Sequence, residues 1–110
     1  MQVTTEKHGS AVVVQCDGRL NLVAAPGLRG RLDQLVTEGN TRLVVDLSRT
    51  AFIDSSGLGA LVAGLKRARQ VGGDLRIAAP TDQVRTVLSL TNLDRVLTPY
   101  DDVSSATDGW

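Results

Sequence analysis

The segment Leu43-Val44-Val45-Asp46-Leu47 sets the tightest limit on what this chain can fold into. Neighbouring residues of a strand point to opposite faces, so the adjacent pair Val44-Val45 makes both faces apolar. Central strands of largely parallel sheets, covered by helices on each side, have this character. The flanking sequence supplies the helices. Pro26 suits a first helical turn, and Leu28, Leu32, Leu35 and Val36 follow at helical spacing until Gly39-Asn40 stops the run. After the strand, Leu58, Leu61, Val62 and Leu65 mark one face of a second helix that ends at Gly72-Gly73.

The rest of the chain continues the alternation. Val3 to Lys7 and Ala11 to Cys16 read as strands joined by the turn His8-Gly9-Ser10, an antiparallel hairpin, and Asp17-Gly18 breaks the pattern. Leu75 to Ala78 is a further strand. Pro80-Thr81 starts a third helix, with Thr81 as its cap and Val84, Val87 and Leu88 pointing inward. Val96-Leu97 reads as a last short strand, Asp101 opens a brief C-terminal helix, and Ser104 to Trp110 is expected to fray. The crossovers from Ala11–Cys16 through Leu43–Leu47 to Leu75–Ala78 predict parallel pairing with right-handed connections. The expected architecture is a single α/β domain over residues 1–110, with a mixed, mostly parallel sheet of four to five strands flanked by helices.

Charge and composition narrow the function. Twelve basic and twelve acidic residues leave no basic excess to release counterions, which argues against nucleic acid as a partner. The local cluster Lys66-Arg67-Arg69 reads as the wet face of a helix. No apolar run reaches the roughly 20 residues of a membrane span, and the first residues lack a basic segment followed by an apolar core, so a cytoplasmic location is expected. Cys16 is the single cysteine and alternates with polar neighbours as a strand residue does. With no cationic group beside it in sequence, it reads as a core thiol.

The chemistry concentrates in Phe52-Ile53-Asp54-Ser55-Ser56-Gly57-Leu58-Gly59. A helix starting at the serine pair offers unpaired N–H groups and a partial positive charge, so a phosphate there is tolerated. In sheets of this kind, sites gather at the carboxyl ends of the strands, where these residues fall. At about 100° per residue, Ser56 lies opposite Leu58, Leu61 and Leu65, in line with Gly59, Ala63 and Lys66, and faces solvent. Gly59 and Ala63 leave a flat floor beside it for another protein's backbone. Gly57, Ala60 and Gly64 border the apolar face and ease helix packing. Asp54 or Ser55 caps the helix, leaving Ser56 free.

Catalysis finds no support in the sequence. The only histidine, His8, falls in the first turn, distant in topology from the serines that would need a base. Gly57-Leu58-Gly59 is too short for a dinucleotide fingerprint, no Walker-type lysine follows, and no His, Cys or carboxylate spacing suits a metal. The expectation is a binding protein without a catalytic residue, cofactor or metal.

The order of elements, the strand ending Val45-Asp46-Leu47 and above all Phe52 to Gly59 resemble the STAS domain of bacterial anti-anti-sigma factors, from the first strand to about Ala106. Asp17-Gly18-Arg19-Leu20-Asn21 and Gly72-Gly73 are weaker matches. The resemblance implies partner switching. It maps the phosphate acceptor onto Ser56, modified by an anti-sigma factor that is a serine kinase and itself binds the ATP. The unphosphorylated domain binds that kinase and frees the sigma factor, phosphorylation releases it, and a PP2C-type phosphatase resets it. The partner surface so implied comprises Asp54, Ser55, Ser56, Gly57, Gly59, Ala63 and the loop residue Asn21, which stands where the family often has an acidic residue. STAS domains also serve as unphosphorylated subunits of lipid-transport or stress-signalling complexes, the alternative reading. The free form is expected to be a monomer or weak dimer, since the edge of the first strand can pair with another chain.

Overall fold

Val44 and Val45 are both fully buried, and their strand lies inside the sheet as the alternation requires. The computed structural model describes residues Met1–Trp110. In chain order the elements are β1 (Gln2–His8), β2 (Ala11–Leu20), α1 (Ala25–Thr37), β3 (Arg42–Asp46), β4 (Thr50–Ile53), α2 (Ser55–Gln70), β5 (Asp74–Ala78), α3 (Asp82–Leu90), β6 (Pro99–Tyr100) and α4 (Val103–Thr107). The strands form one sheet in the order β1-β2-β3-β5-β6, with β4 joined to β2 off that path. Only the β1–β2 hairpin is antiparallel; the other pairings are parallel.

The two faces of the sheet are covered unequally. On one, Val12, Val14, Leu43, Val45 and Ile77 pack beneath α1, α2 and α3, which contribute Leu28, Leu32, Leu61, Leu65, Val84 and Leu88. Burial of each such side chain stabilises the fold by about 2 kcal/mol. On the other face, Ala11, Val13, Val44 and Ala78 meet Ala106 of α4, with Tyr100, Val103 and Trp110 at the margin. The helices α1 and α2 pack closely because Gly64 has no side chain: a Cβ there would lie 2.6 Å from Leu32 Cδ1 and 3.1 Å from Leu75 Cδ1.

Several sequence expectations need correction. The sheet has six strands rather than four or five, because Thr50–Ile53, which falls between the expected strand Leu43–Leu47 and the helix at the serine pair, is β4. Strand β2 does not stop at Asp17-Gly18. Gly18 takes a φ of +123°, open to glycine but not to most residues, and the register shifts there, so the strand bulges and runs on to pair Leu20 with Ile53. Thr81 occupies the start of α3 without capping it; its hydroxyl donates instead to the Thr50 carbonyl at 2.9 Å. Val84 and Leu88 are buried and Val87, half-buried, packs against the same core, as the helical spacing requires.

The C-terminal third departs most. Val96-Leu97 is no strand: a 3-10 turn over Leu93–Arg95 leaves the Leu97 N–H donating back to the Leu93 carbonyl, and the last strand is Pro99–Tyr100. Asp102 rather than Asp101 caps the final helix, accepting from the Ser105 N–H and hydroxyl at 2.7 Å each. Those bonds hold the Asp102 carboxyl below its usual range. The tail expected to fray is docked. Arg76 lies 3.9 Å from the Trp110 ring centre and 5.6 Å from that of Tyr100, and it donates to the Ala106 carbonyl at 2.9 Å and the Asp108 carbonyl at 3.3 Å.

Strand β4 is closed on its free side by α3. The Ile53 N–H donates to Gln83 Oε1 at 2.9 Å, and Gln83 Nε2 donates to the Ile53 carbonyl at 3.1 Å, so one side-chain amide replaces a neighbouring strand. Gln83→Ala removes both partners of a half-buried backbone unit and is expected to lower unfolding free energy by about 1 to 3 kcal/mol, measured by urea denaturation.

Cys16 is fully buried, and desolvation, then the Asp46 charge, pushes its pKa up to about 12. The native protein should resist iodoacetamide at pH 8 and react once unfolded. Between pH 9, the thiol's ordinary value, and about 12, the folded state holds a proton that the unfolded state loses, so this group's contribution to stability falls as pH rises. Denaturation across that range should show the decline in the parent and a shallower one in Cys16→Ala.

Candidate functional site

Strand β4 delivers Asp54 to the last residues of β2, and the site grows from that junction. Asp54 is extended, with φ −117° and ψ −174°, and caps α2: its Oδ1 accepts from the Gly57 N–H at 2.9 Å. Its Oδ2 reaches across the chain to accept from the Leu22 N–H at 3.1 Å. The Asp54 N–H donates to the Leu20 carbonyl at 3.3 Å. One carboxylate therefore fixes both the start of α2 and the loop between β2 and α1.

Gly57 completes the junction from below. A Cβ on it would strike the Leu20 carbonyl and lie 2.8 Å from Ile53 Cγ1 and Leu20 Cγ. Only glycine lets the first turn of α2 sit on the end of β2. Gly57 is buried, and its close approach to Leu20 and Ile53 sets the position of the helix. Asn21 is engaged within the chain as well. Its Oδ1 already accepts from the N–H groups of Val23 and Ala24, each at 3.1 Å, and its carbonyl accepts from Ala25 at 2.8 Å. It folds the loop, and the side chains the loop offers outward are Leu22 and Val23, 70 % and 87 % exposed. Sequence reading missed that pair. The available signal was an apolar dipeptide outside the phase of Leu28, Leu32 and Leu35.

Ser55 and Ser56 follow as the first two helical residues. Neither hydroxyl makes a hydrogen bond within the chain, and neither backbone N–H has a partner there. Ser55 is exposed and Ser56 half-buried, so full exposure of Ser56 is not what the helix gives; Ser55 is the more open of the two. Gly59 is exposed with open space where a Cβ would stand, and Ala63 is half-buried. Both line a groove of about 820 Å³ between α1 and α2.

The geometry does not assemble a hydrolytic pair. His8 sits beside Ala11 at the start of β2, whereas Ile53 and Asp54 meet its end at Leu20. Nine residues of strand separate the two ends, about 30 Å. No group of three His, Cys, Asp or Glu residues is placed to hold a metal ion. No helix is long and apolar enough to cross a membrane.

The family model of the STAS domain matches residues 2–106, and the chain belongs to that family. It is similar to the anti-sigma-F factor antagonist RsfB of Mycobacterium tuberculosis, with 27 % identity over 109 residues covering 97 % of this chain and 87 % of that one. A Thermotoga maritima protein provisionally assigned as an anti-sigma factor antagonist has a crystal structure that matches with a TM-score of 0.90 and 31 % identity, covering 96 % of this chain and 92 % of that one. The Bacillus cell-fate determinant SpoIIAA in its phosphorylated form shares the fold at a TM-score of 0.74 and 22 % identity, each chain covered to 97 %.

Asp54→Ala is expected to cost about 0.5 to 2 kcal/mol through the lost cap. It should also speed amide exchange at Leu22 as well as at Gly57. Exchange accelerated at Gly57 alone would show that the loop does not depend on the carboxylate.

Proposed function

We propose that this chain is an anti-anti-sigma factor that acts in the cytoplasm by partner switching. Unphosphorylated, it binds an anti-sigma factor serine kinase and releases the sigma factor; phosphorylated on Ser56, it lets the kinase go, and a PP2C-type phosphatase restores it. It binds and is acted on, without chemistry of its own.

The observation that carries this reading is the free serine hydroxyl on the first turn of α2, beside two unpartnered N–H groups. A phosphoserine brings about 1.5 to 2 negative charges, and the helix N-terminus is where such charge is best received. The exposed pair Leu22 and Val23, held next to that turn by Asp54, gives a partner an apolar anchor within the same contact. A phosphate at the rim of a dehydrated contact adds desolvation and repulsion. The family and the names of the relatives support the same reading, and the fold is one that SpoIIAA carries in a phosphorylated form.

The choice of Ser56 over Ser55 rests on the resemblance to the family, whose motif takes the phosphate on the second serine of the pair; exposure does not favour it, since Ser55 is the more open. Incubation with ATP and an anti-sigma factor kinase should add one phosphate, which fragmentation places on Ser56. Ser56→Ala should retain kinase affinity, and Ser56→Asp should weaken it by about tenfold or more, a loss near 1.4 kcal/mol, by calorimetry. Phosphate found on Ser55, or equal binding by both variants, sinks the assignment.

A further inference from the structure

The groove between α1 and α2 has a character the sequence does not predict. Two of the three basic residues of α2, read as a solvated face, line it: Lys66 and Arg67 on one wall, with Arg29 of α1 on the other, while Arg69 pairs with Asp74 instead. Asp33 is the only carboxylate there, and it is taken up by Arg67 at 2.9 Å. Arg29 and Lys66 are exposed and have no carboxylate or hydrogen-bonding partner. A chain with a net charge of zero thus carries a local excess of two positive charges in a groove of about 820 Å³. Its floor is Gly59 and Ala63, so a partner's backbone can come close before meeting a side chain.

The size and lining argue for a segment of protein. Small-molecule pockets are mostly apolar and enclosed. Of the eleven residues here, two are hydrophobic and four are charged. From Gly59 to Gln70 it follows three turns of α2, about 16 Å, the length of a short helix laid alongside.

We infer that this groove receives an acidic helical segment of the anti-sigma factor, with its carboxylates against Arg29 and Lys66 and its end at Ser56. The inference rests on the proposed partner switching and deepens it. Ser56 stands three residues before Gly59, in the first turn of the helix that forms this wall, so a phosphate there lies beyond the groove's end and meets the end of a negatively charged segment. Repulsion between the two supplies a cause for release, and the cationic wall supplies steering in the unmodified state.

The test uses the full chain and the anti-sigma factor kinase that binds it. Arg29→Glu combined with Lys66→Glu should weaken binding by about tenfold or more at low salt and flatten its salt dependence, while Arg29→Lys with Lys66→Arg retains both. An unchanged melting temperature establishes that the reversed variant folds. Affinity within about twofold of the parent, or parent affinity indifferent to salt, overturns the groove. If the chain alone dimerises in sedimentation and the charge reversal abolishes the dimer, the occupant is a second copy and the inference is also overturned. Should Ser56→Asp weaken binding where the groove variant does not, partner switching stands and the groove falls. If no anti-sigma factor binds the parent, partner switching itself fails and the groove with it.

Discussion

The Asp54 carboxylate joins residues 32 positions apart, and the rest of the site depends on that join. Without its bond to Leu22, the loop after β2 has only Asn21 to shape it; without its bond to Gly57, α2 begins with one more unpaired N–H. The Leu20 carbonyl then packs onto Gly57, so strand, loop and helix share one point. Here no buried side-chain nitrogen or oxygen lacks a partner, so the arrangement carries no desolvation penalty of that kind.

Asp54 can hold two segments only because β4 is itself held. The Thr50 hydroxyl donates to the Cys16 carbonyl at 2.8 Å, the Thr81 hydroxyl donates to the Thr50 carbonyl, and Gln83 takes both backbone groups of Ile53. A four-residue strand paired on one side alone is weakly determined. Pinned by β2 on one side and, on the other, by three side-chain bonds from Thr81 and Gln83 at the start of α3, it becomes a rigid support. The serines therefore sit on scaffold, whereas Leu22 and Val23 sit on a loop that the scaffold positions.

The sequence made the central strand legible because Val44-Val45 permits few alternatives, and α1 and α2 were legible because their leucines recur at helical spacing. β4 was harder to see. Thr50 and Ile53 are buried while Ala51 is exposed, but a run of four residues gives alternation little room, and its bonding partners, Thr81 and Gln83, lie thirty residues away. The bulge at Gly18 was misread as a stop for a related reason: the residue that ends many strands also allows one to bend and continue. The C-terminal latch had no periodic signature. It depends on Arg76 meeting Tyr100 and Trp110, a long-range contact that local pattern cannot carry. Within the site, Asp54 and Gly57 were visible as a cap and a small residue. Their shared contact with the end of β2 was not, since nothing local indicates that a helix start will land there.

A switch on this frame need not move the frame. A phosphate on Ser56 would gain about 0.3 to 1 kcal/mol from the helix N-terminus and lose part of that to repulsion from Asp54, two residues earlier. The folded state feels a small difference of opposing terms. A partner feels no such cancellation, because its own carboxylates or apolar groups would be brought against the phosphate with water excluded. Two like charges at 4 Å repel by about 4 kcal/mol at an effective dielectric of 20, and each 1.4 kcal/mol is about tenfold in affinity. The same phosphate is thus nearly neutral for folding and costly for binding. The asymmetry follows from where α2 begins, and α2 begins there because Asp54 caps it while holding Leu22.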